Sequence, residues 1–389
     1  MLDLKDYFDP VSIDEPEFLN MTSNAGFPHN ISIHTENDRI NPGERFKVVL
    51  IGVPDGRNSP NPGSDKAPDA IRQQLYNLAK IPGKIKIADL GNMKQGMAFN
   101  DTIAGLTDIL VFFMRENIFP VIIGGSSALI TAIDRSMSVL KKKYTMISVD
   151  PRIDFTSETG AFSSSSYLND ITRAHNRTME HFINIGYQTY LNDQQVLNRF
   201  ARNNSELVRI GDVRQAIYLT EPLFRDSEAA LFDISSVRQS DAPGTAIPSP
   251  NGFYGEEICL LARYAGISDR LKVFGLFDVN PEFDVRGQTT GLAAQILWFF
   301  LEGFSQKQYE TPALSDTNSG RFIKYHVRVK DLEEDLIFVK SNYTERWWIE
   351  LTDINSGKVY IACSHEDYLK ANKNELPDRW VKAVERIKS

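Results

Sequence analysis

Short apolar runs recur along this chain, each followed by a stretch with helical periodicity, and that rhythm limits the fold more than any other feature. "KVVLIGVP" (47–54), "KIKIADLG" (84–91), "PVIIGG" (120–125), "YTMISVD" (144–150), "HFINIGYQ" (181–188), "AALFDIS" (229–235) and "LKVFGLFDVN" (271–280) are near-continuous rather than alternating in hydrophobicity. Strands of that kind are apolar on both faces, so both faces must be covered. The amphipathic segments between them, such as "DTIAGLTDILVFFMREN" and "YGEEICLLARYAG", supply the cover. Alternation of this sort predicts a mostly parallel sheet in a three-layer α/β/α domain.

The rhythm holds from residue 46 to 307 of the 389. Residues 1–45 are polar and weakly periodic and are expected to lie as an arm over the domain. After residue 308 the pattern changes. "FIKYHVRV", "DLIFVKS" and "RWWIELTD" alternate like antiparallel strands, and "LPDRWVKAVERIK" reads as a closing helix, so 308–389 is expected to form a small α+β extension. Its Trp347, Trp348 and Trp380 are read as the core of that unit, with a partner surface as the alternative.

The net charge of −8 speaks against non-specific nucleic-acid binding. "LAAQILWFFLEGF" is too short for the roughly 20 residues that span a bilayer, and the N-terminus lacks the basic and apolar regions of a signal peptide. Cys259 and Cys363 are far apart and outside any CxxC spacing, which speaks against a disulfide framework or thiolate metal site and for a reducing compartment. A cytoplasmic protein is expected.

Ligands of parallel sheets gather at the carboxyl ends of the strands. Polar residues stand at those ends here: Ser126 and Ser127; Asp150, Arg152 and Asp154; Asp233 and Ser235; Asp278. Period-two geometry would turn Asp150 and Arg152 into one cavity, and likewise Asp233 and Ser235. The plainer reading makes these residues turn formers, a buried salt bridge or, for Asp278, a helix cap. The serines at 163–166 could receive an anion; a solvated loop is the simpler account.

Taken together, "GVPDGRNSPNPGSDKAPDAIR", "IIGGSSA", "SVDPRID", "LFDISSVRQSDAPGTAIPSPNGF" and "LFDVNPEFD" resemble, in order, the motifs of the ureohydrolases: arginase, agmatinase and formimidoylglutamase. Formimidoylglutamase-like proteins are the preferred neighbours. The resemblance implies a two-manganese centre held by two histidines and four aspartates, hydrolysis of a guanidine or formimidoyl C–N bond, and trimers or hexamers.

Carried over position by position, Asp150, Asp154 and Asp233 are retained ligands, whereas Ser127, Arg152 and Ser235 stand where the family has His, His and Asp. Asp278 takes the place of a substrate-facing glutamate. The six histidines (His29, His34, His175, His181, His326, His365) all fall outside the motifs. Arginine has no lone pair to offer a metal. Arg152 is therefore expected to replace the second ion as an internal cation, in bidentate pairs with Asp150 and Asp233.

The remaining all-oxygen set would suit one Mn²⁺ or Mg²⁺ or none, and a dinuclear manganese centre is not expected. The leading expectation is a pseudoenzyme that binds or assembles. The alternative is a hydrolase of linear amidines in which Asp150 helps hold one metal and Asp278 orients substrate. A small guanidino or formimidoyl ligand and a homo-oligomer are the partners the resemblance permits.

Overall fold

The computed structural model describes residues 4–12, 26–37, 40, 45–156, 162–174, 178–202, 205–312, 320–330, 332–353 and 357–388. In chain order the first elements are α1 (Leu4–Tyr7), β1 (Phe8–Asp9), β2 (Ile31–Ile33), β3 (Val48–Val53), α2 (Ala67–Leu75), β4 (Ile87–Met93), α3 (Phe99–Arg115), β5 (Phe119–Gly124) and α4 (Ile130–Val139). There follow β6 (Tyr144–Val149), α5 (Tyr167–Arg173), β7 (Met179–Tyr187), α6 (Gln194–Arg202), β8 (Ser205–Arg209), α7 (Ile210–Gln215), α8 (Glu221–Arg225) and β9 (Ala229–Asp233). The main unit closes with α9 (Gly255–Gly266), β10 (Val273–Phe277) and α10 (Gln288–Ser305). The extension holds β11 (Phe322–Val327), β12 (Leu336–Ser341), β13 (Trp347–Asp353), β14 (Gly357–Cys363), α11 (His365–Asn372) and α12 (Asp378–Lys388).

The main sheet has ten strands in the order β1-β4-β3-β5-β10-β9-β6-β7-β8, with β2 pairing beside β4. Every pair is parallel except β1 with β4. The continuous apolar runs are explained by the two cores. Along β3, Val48 and Leu50 enter the core under α2, α9 and α10, while Val49, Ile51 and Val53 enter the one under α3 and α4. A buried Val, Leu or Ile contributes about 1.5–3 kcal/mol by leaving water, so these two layers are the main source of stability.

The N-terminal arm differs from its expected role. Its described parts supply β1 and β2, which pair with β4, rather than only lying across the domain. Two and three residues are too few to show periodicity in sequence.

The extension is a four-stranded antiparallel sheet in the order β11-β12-β13-β14. Trp347 packs with Tyr325 and Tyr368 in its own core, and Trp380 packs against the same cluster. Trp348, on the other face, lies under the Arg225 guanidinium of α8 at 4.9 Å. The reading as core of the extension therefore describes Trp347 and Trp380, whereas Trp348 faces the main unit.

The extension docks on the main unit through buried charge. Arg379 of α12 pairs with Asp226 and with Glu206, donates to the Ala362 carbonyl, and is matched by Arg225, which donates to the carbonyls of Trp347 and Cys363. Asp226 directly precedes β9, so this contact lies at the opposite end of the sheet from the polar strand ends.

Truncation of one partner in such a network leaves the other charge buried. Arg379→Ala is expected to cost about 3–5 kcal/mol in urea unfolding. Burial alone would push the Glu206 carboxyl up, but Arg379 and Lys382 outweigh it and hold it below its ordinary value of 4.5. The folded value is the lower one, so Glu206 stabilises fully above about pH 4.5 and loses its contribution as the pH falls below that. Loss of stability between about pH 5 and 3 should be shallower in Glu206→Gln than in the parent.

Candidate functional site

Topology assembles the site. The neighbours β5, β10, β9 and β6 end side by side, and the residues just past them are Ser127, Asp278, Asp233 and the pair Asp150 and Asp154. The chain leaves β5 and β6 toward α4 and α5 on one face, and leaves β10 and β9 toward α10 and α9 on the other. Opposite departures open a crevice at the strand ends, where ligands of such sheets are bound.

Close approach of the loops explains the glycine pair of "IIGG". A Cβ on Gly125 would lie 2.5 Å from the Asp55 carbonyl oxygen, and one on Gly124 would lie 2.4 Å from the Phe277 ring. The β3 and β5 loops are thereby knitted together, with Ser126 N donating to the Asp55 carbonyl at 2.9 Å.

Four carboxyl groups meet in the crevice. Asp150, Asp154 and Asp278 are buried, at 4%, 8% and 7% exposure. Burial pushes the Asp150 carboxyl up to about 7; hydrogen bonds from the Arg152 N–H and from Asp154 oppose this, the Asp278 charge adds to it, and the Arg152 charge opposes it weakly. Asp154 and Asp233 are pushed well above the usual carboxylate range, first by burial and then by the other aspartates. Asp278 rises as well through burial, against hydrogen bonds from Ser127, Ser59 and Asn61. Carboxylates this close and this dry cannot all ionise without a cation.

The expected bidentate pairs of Arg152 with Asp150 and Asp233 do not form. The period-two argument fails because β6 ends at Val149 and β9 ends at Asp233, so residues 152 and 235 lie beyond the pleat. Each aspartate instead folds over its own main chain. Asp150 Oδ1 accepts from the Arg152 N–H at 2.7 Å, and Asp233 Oδ1 accepts from the Ser235 N–H at 2.7 Å. Among the described residues Arg152 makes no ion pair with Asp150, Asp154 or Asp233, and it reaches Asp150 only as a nearby charge.

The bidentate arginine of this region is Arg57, whose Nε and Nη2 donate to Asp55 at 2.9 and 2.6 Å, and which also donates to Gly96, Met97 and Thr102. The spacing "DGR" offered a sign of it, since residues two apart in a turn are in reach of one another.

Asp278 adopts a left-handed backbone, φ 61°. Its Oδ2 accepts from the Ser127 N–H at 3.0 Å and its Oδ1 from the Ser59 hydroxyl at 3.2 Å. Ser127 opens the turn that leads into α4, so the carboxylate caps that helix entrance, as the plainer reading proposed. Tyr167 is a neighbour that the sequence did not announce. It is buried, its hydroxyl bonds Ser148, and burial followed by the charges of Asp154, Asp150 and Asp233 raises it. The serines at 163–166 bond one another, Ser163 Oγ lying 3.0 and 3.1 Å from those of Ser165 and Ser166, and Ser164 N donates to the Asn58 carbonyl.

No described histidine reaches this site. His181 pairs in register with Thr145 at the far end of the sheet, His34 bonds the Leu90 carbonyl, and His326 and His365 belong to the extension. His175 lies outside the described residues.

The donor set therefore does not fit a manganese pair. It has no imidazole, one guanidinium and two serines at ligand positions, and carboxylate oxygens engaged by backbone N–H groups. Among the described residues no group of three or more His, Cys, Asp or Glu is arranged to hold a metal ion.

Asn280 completes the scaffold. It is fully buried, donating to Asn61 Oδ1 and the Pro62 carbonyl at 2.8 and 2.6 Å and accepting from Glu282 N. Asn280→Ala strands these groups in the interior. It is expected to lower stability by about 2–4 kcal/mol in urea unfolding.

A family model described as "Arginase family" matches residues 46–302. The formimidoylglutamase of Photorhabdus laumondii is 22% identical over 267 residues, 62% of this chain and 80% of that protein. That of Salmonella paratyphi C is 25% identical over 268 residues, 65% of this chain and 84% of that protein. Formiminoglutamase of Trypanosoma cruzi, solved with Mn²⁺, superposes with a TM-score of 0.63 at 18% identity, covering 68% of this chain and 97% of that one. Proclavaminate amidino hydrolase of Streptomyces clavuligerus superposes at 0.58 with 19% identity, covering 75% and 99%. With its parallel sheet, its strand-end crevice and a matching model over most of its length, this chain belongs to the arginase family.

Proposed function

We propose that this protein is a formimidoylglutamase-like member of the arginase family that has lost the dinuclear manganese site and works by binding or assembly rather than hydrolysis. The carrying observation is the donor set. Ser127, Arg152 and Ser235 stand at three ligand positions, and Asp150 and Asp233 turn an oxygen to the main chain two residues on. Imidazole ligands fix a manganese ion without adding charge, and a guanidinium repels one.

The position of the extension supports the reading. The extension docks at the opposite end of the sheet, so it serves as an assembly or partner module more readily than as a lid. A homo-oligomer and a small guanidino or formimidoyl ligand are the partners proposed. The two cysteines are free and buried, which suits a reducing compartment such as the cytoplasm.

One observation favours a second reading. Asp150, Asp154 and Asp233 carry −3 when ionised, the nearby Arg152 carries +1, and a single Mg²⁺ or Mn²⁺ held by the three aspartates would cancel the remaining −2. Such an ion would supply an activated water, and the protein would then be a hydrolase of linear amidines.

Elemental analysis after incubation with Mn²⁺, alongside release of formamide or urea from formimidoylglutamate, agmatine and arginine, separates the readings. The proposal expects substoichiometric metal and no product above the buffer blank. One ion per chain with turnover establishes the second reading, and two ions per chain overturn both.

A further inference from the structure

We propose that Asp278 is a positioning residue that clasps the strand-end crevice shut by tying the loops after β3 and β5 to the end of β10. This goes beyond the reading above and does not depend on metal content.

Four hydrogen bonds converge on this one residue. Its Oδ1 accepts from the Ser59 hydroxyl and its Oδ2 from the Ser127 N–H. Its carbonyl oxygen accepts from Asn61 Nδ2 at 2.7 Å, and its own N–H donates to the Gly125 carbonyl at 2.8 Å. Ser59 and Asn61 belong to the loop after β3, whereas Gly125 and Ser127 belong to the loop after β5. These loops flank the crevice and are also joined there by Ser126 N bonding the Asp55 carbonyl and Gly125 N bonding the Val53 carbonyl at the end of β3.

Geometry distinguishes a clasp from an ordinary cap. A cap needs only the bond to Ser127, and a side chain entering from a relaxed backbone would serve. Asp278 holds a left-handed φ of 61°, which a residue with a Cβ adopts at a cost, and it engages both loops from that conformation. Its two carboxylate oxygens, which would otherwise face a cationic ligand, are each occupied by a donor of the protein itself. Release of the clasp would part the two loops and expose Ser127, which is 4% exposed in the closed form.

Thiol labelling tests this. Ser127→Cys keeps the backbone N–H that Asp278 accepts from and replaces the neighbouring hydroxyl with a thiol, a change common to every variant compared; the native Cys259 and Cys363 are 4% and 1% exposed and serve as internal references. Labelling of the full-length chain with a small disulfide reagent in EDTA, followed by peptide mass spectrometry, gives the rate at each thiol. Loss of the two carboxylate bonds, one to each loop, with the backbone bonds to Asn61 and Gly125 kept, is expected to speed labelling of the introduced thiol at least tenfold in Ser127→Cys/Asp278→Ala over Ser127→Cys alone, with the reference thiols unchanged. Where that double variant does not fold, Ser127→Cys/Ser59→Ala, which removes a single bond, is judged in its place, with an expected acceleration of at least threefold. An unchanged rate, or an equal acceleration at Cys259 and Cys363, overturns the clasp. Because EDTA is present throughout, the outcome says nothing about manganese and leaves the preceding proposal to its own test.

Discussion

Burial of like charge governs this molecule. Four aspartates reach the ends of three neighbouring strands, β10, β9 and β6, where burial removes water and, among the described residues, no basic side chain forms an ion pair with them. In such surroundings a carboxylate has three outlets: a cation, a proton or a hydrogen-bond donor. Here the donors come from the backbone, two residues along the chain for Asp150 and Asp233 and across the crevice for Asp278. The arrangement keeps acids where a metalloenzyme would have them while spending part of their coordinating capacity on the main chain.

The surrounding scaffold is organised around that same crevice. Asn61, Asn280 and the glycine pair 124–125 fix the loops by contacts too close for larger residues or unpaired amides. Asp55 and Arg57 anchor the β3 loop from its outer side and tie it to the start of α3. The extension, held by Arg225 and Arg379 at the other end of the sheet, leaves the crevice untouched. One end of the domain thus carries the aspartate crevice and the other carries the extension.

The main strands were legible because each is a run of residues that only a doubly covered sheet can bury, and the helices because their apolar faces repeat at helical spacing. The short β1 and β2, and the half-buried edge strand β8, gave no such signal. Within the site, the absence of histidine from every motif was plain from the sequence, since residue type alone decides whether a lone pair is on offer. Tyr167 went unnoticed because its neighbours at the site come from the ends of other elements, whereas the Arg57–Asp55 pair was within reach of the sequence and was passed over.

Amino-acid order by itself settled the fold class, the family likeness and which residue types stand at each motif position, because periodicity and side-chain chemistry are local properties. Only the tertiary structure decided what the remaining acids do. The strand pleat stops at Val149 and Asp233, so the face of residues 152 and 235 could not be projected from the strands that precede them. The role of Asp278 depends on hydrogen bonds to Ser59 and Ser127, more than 150 residues away, which no local pattern encodes.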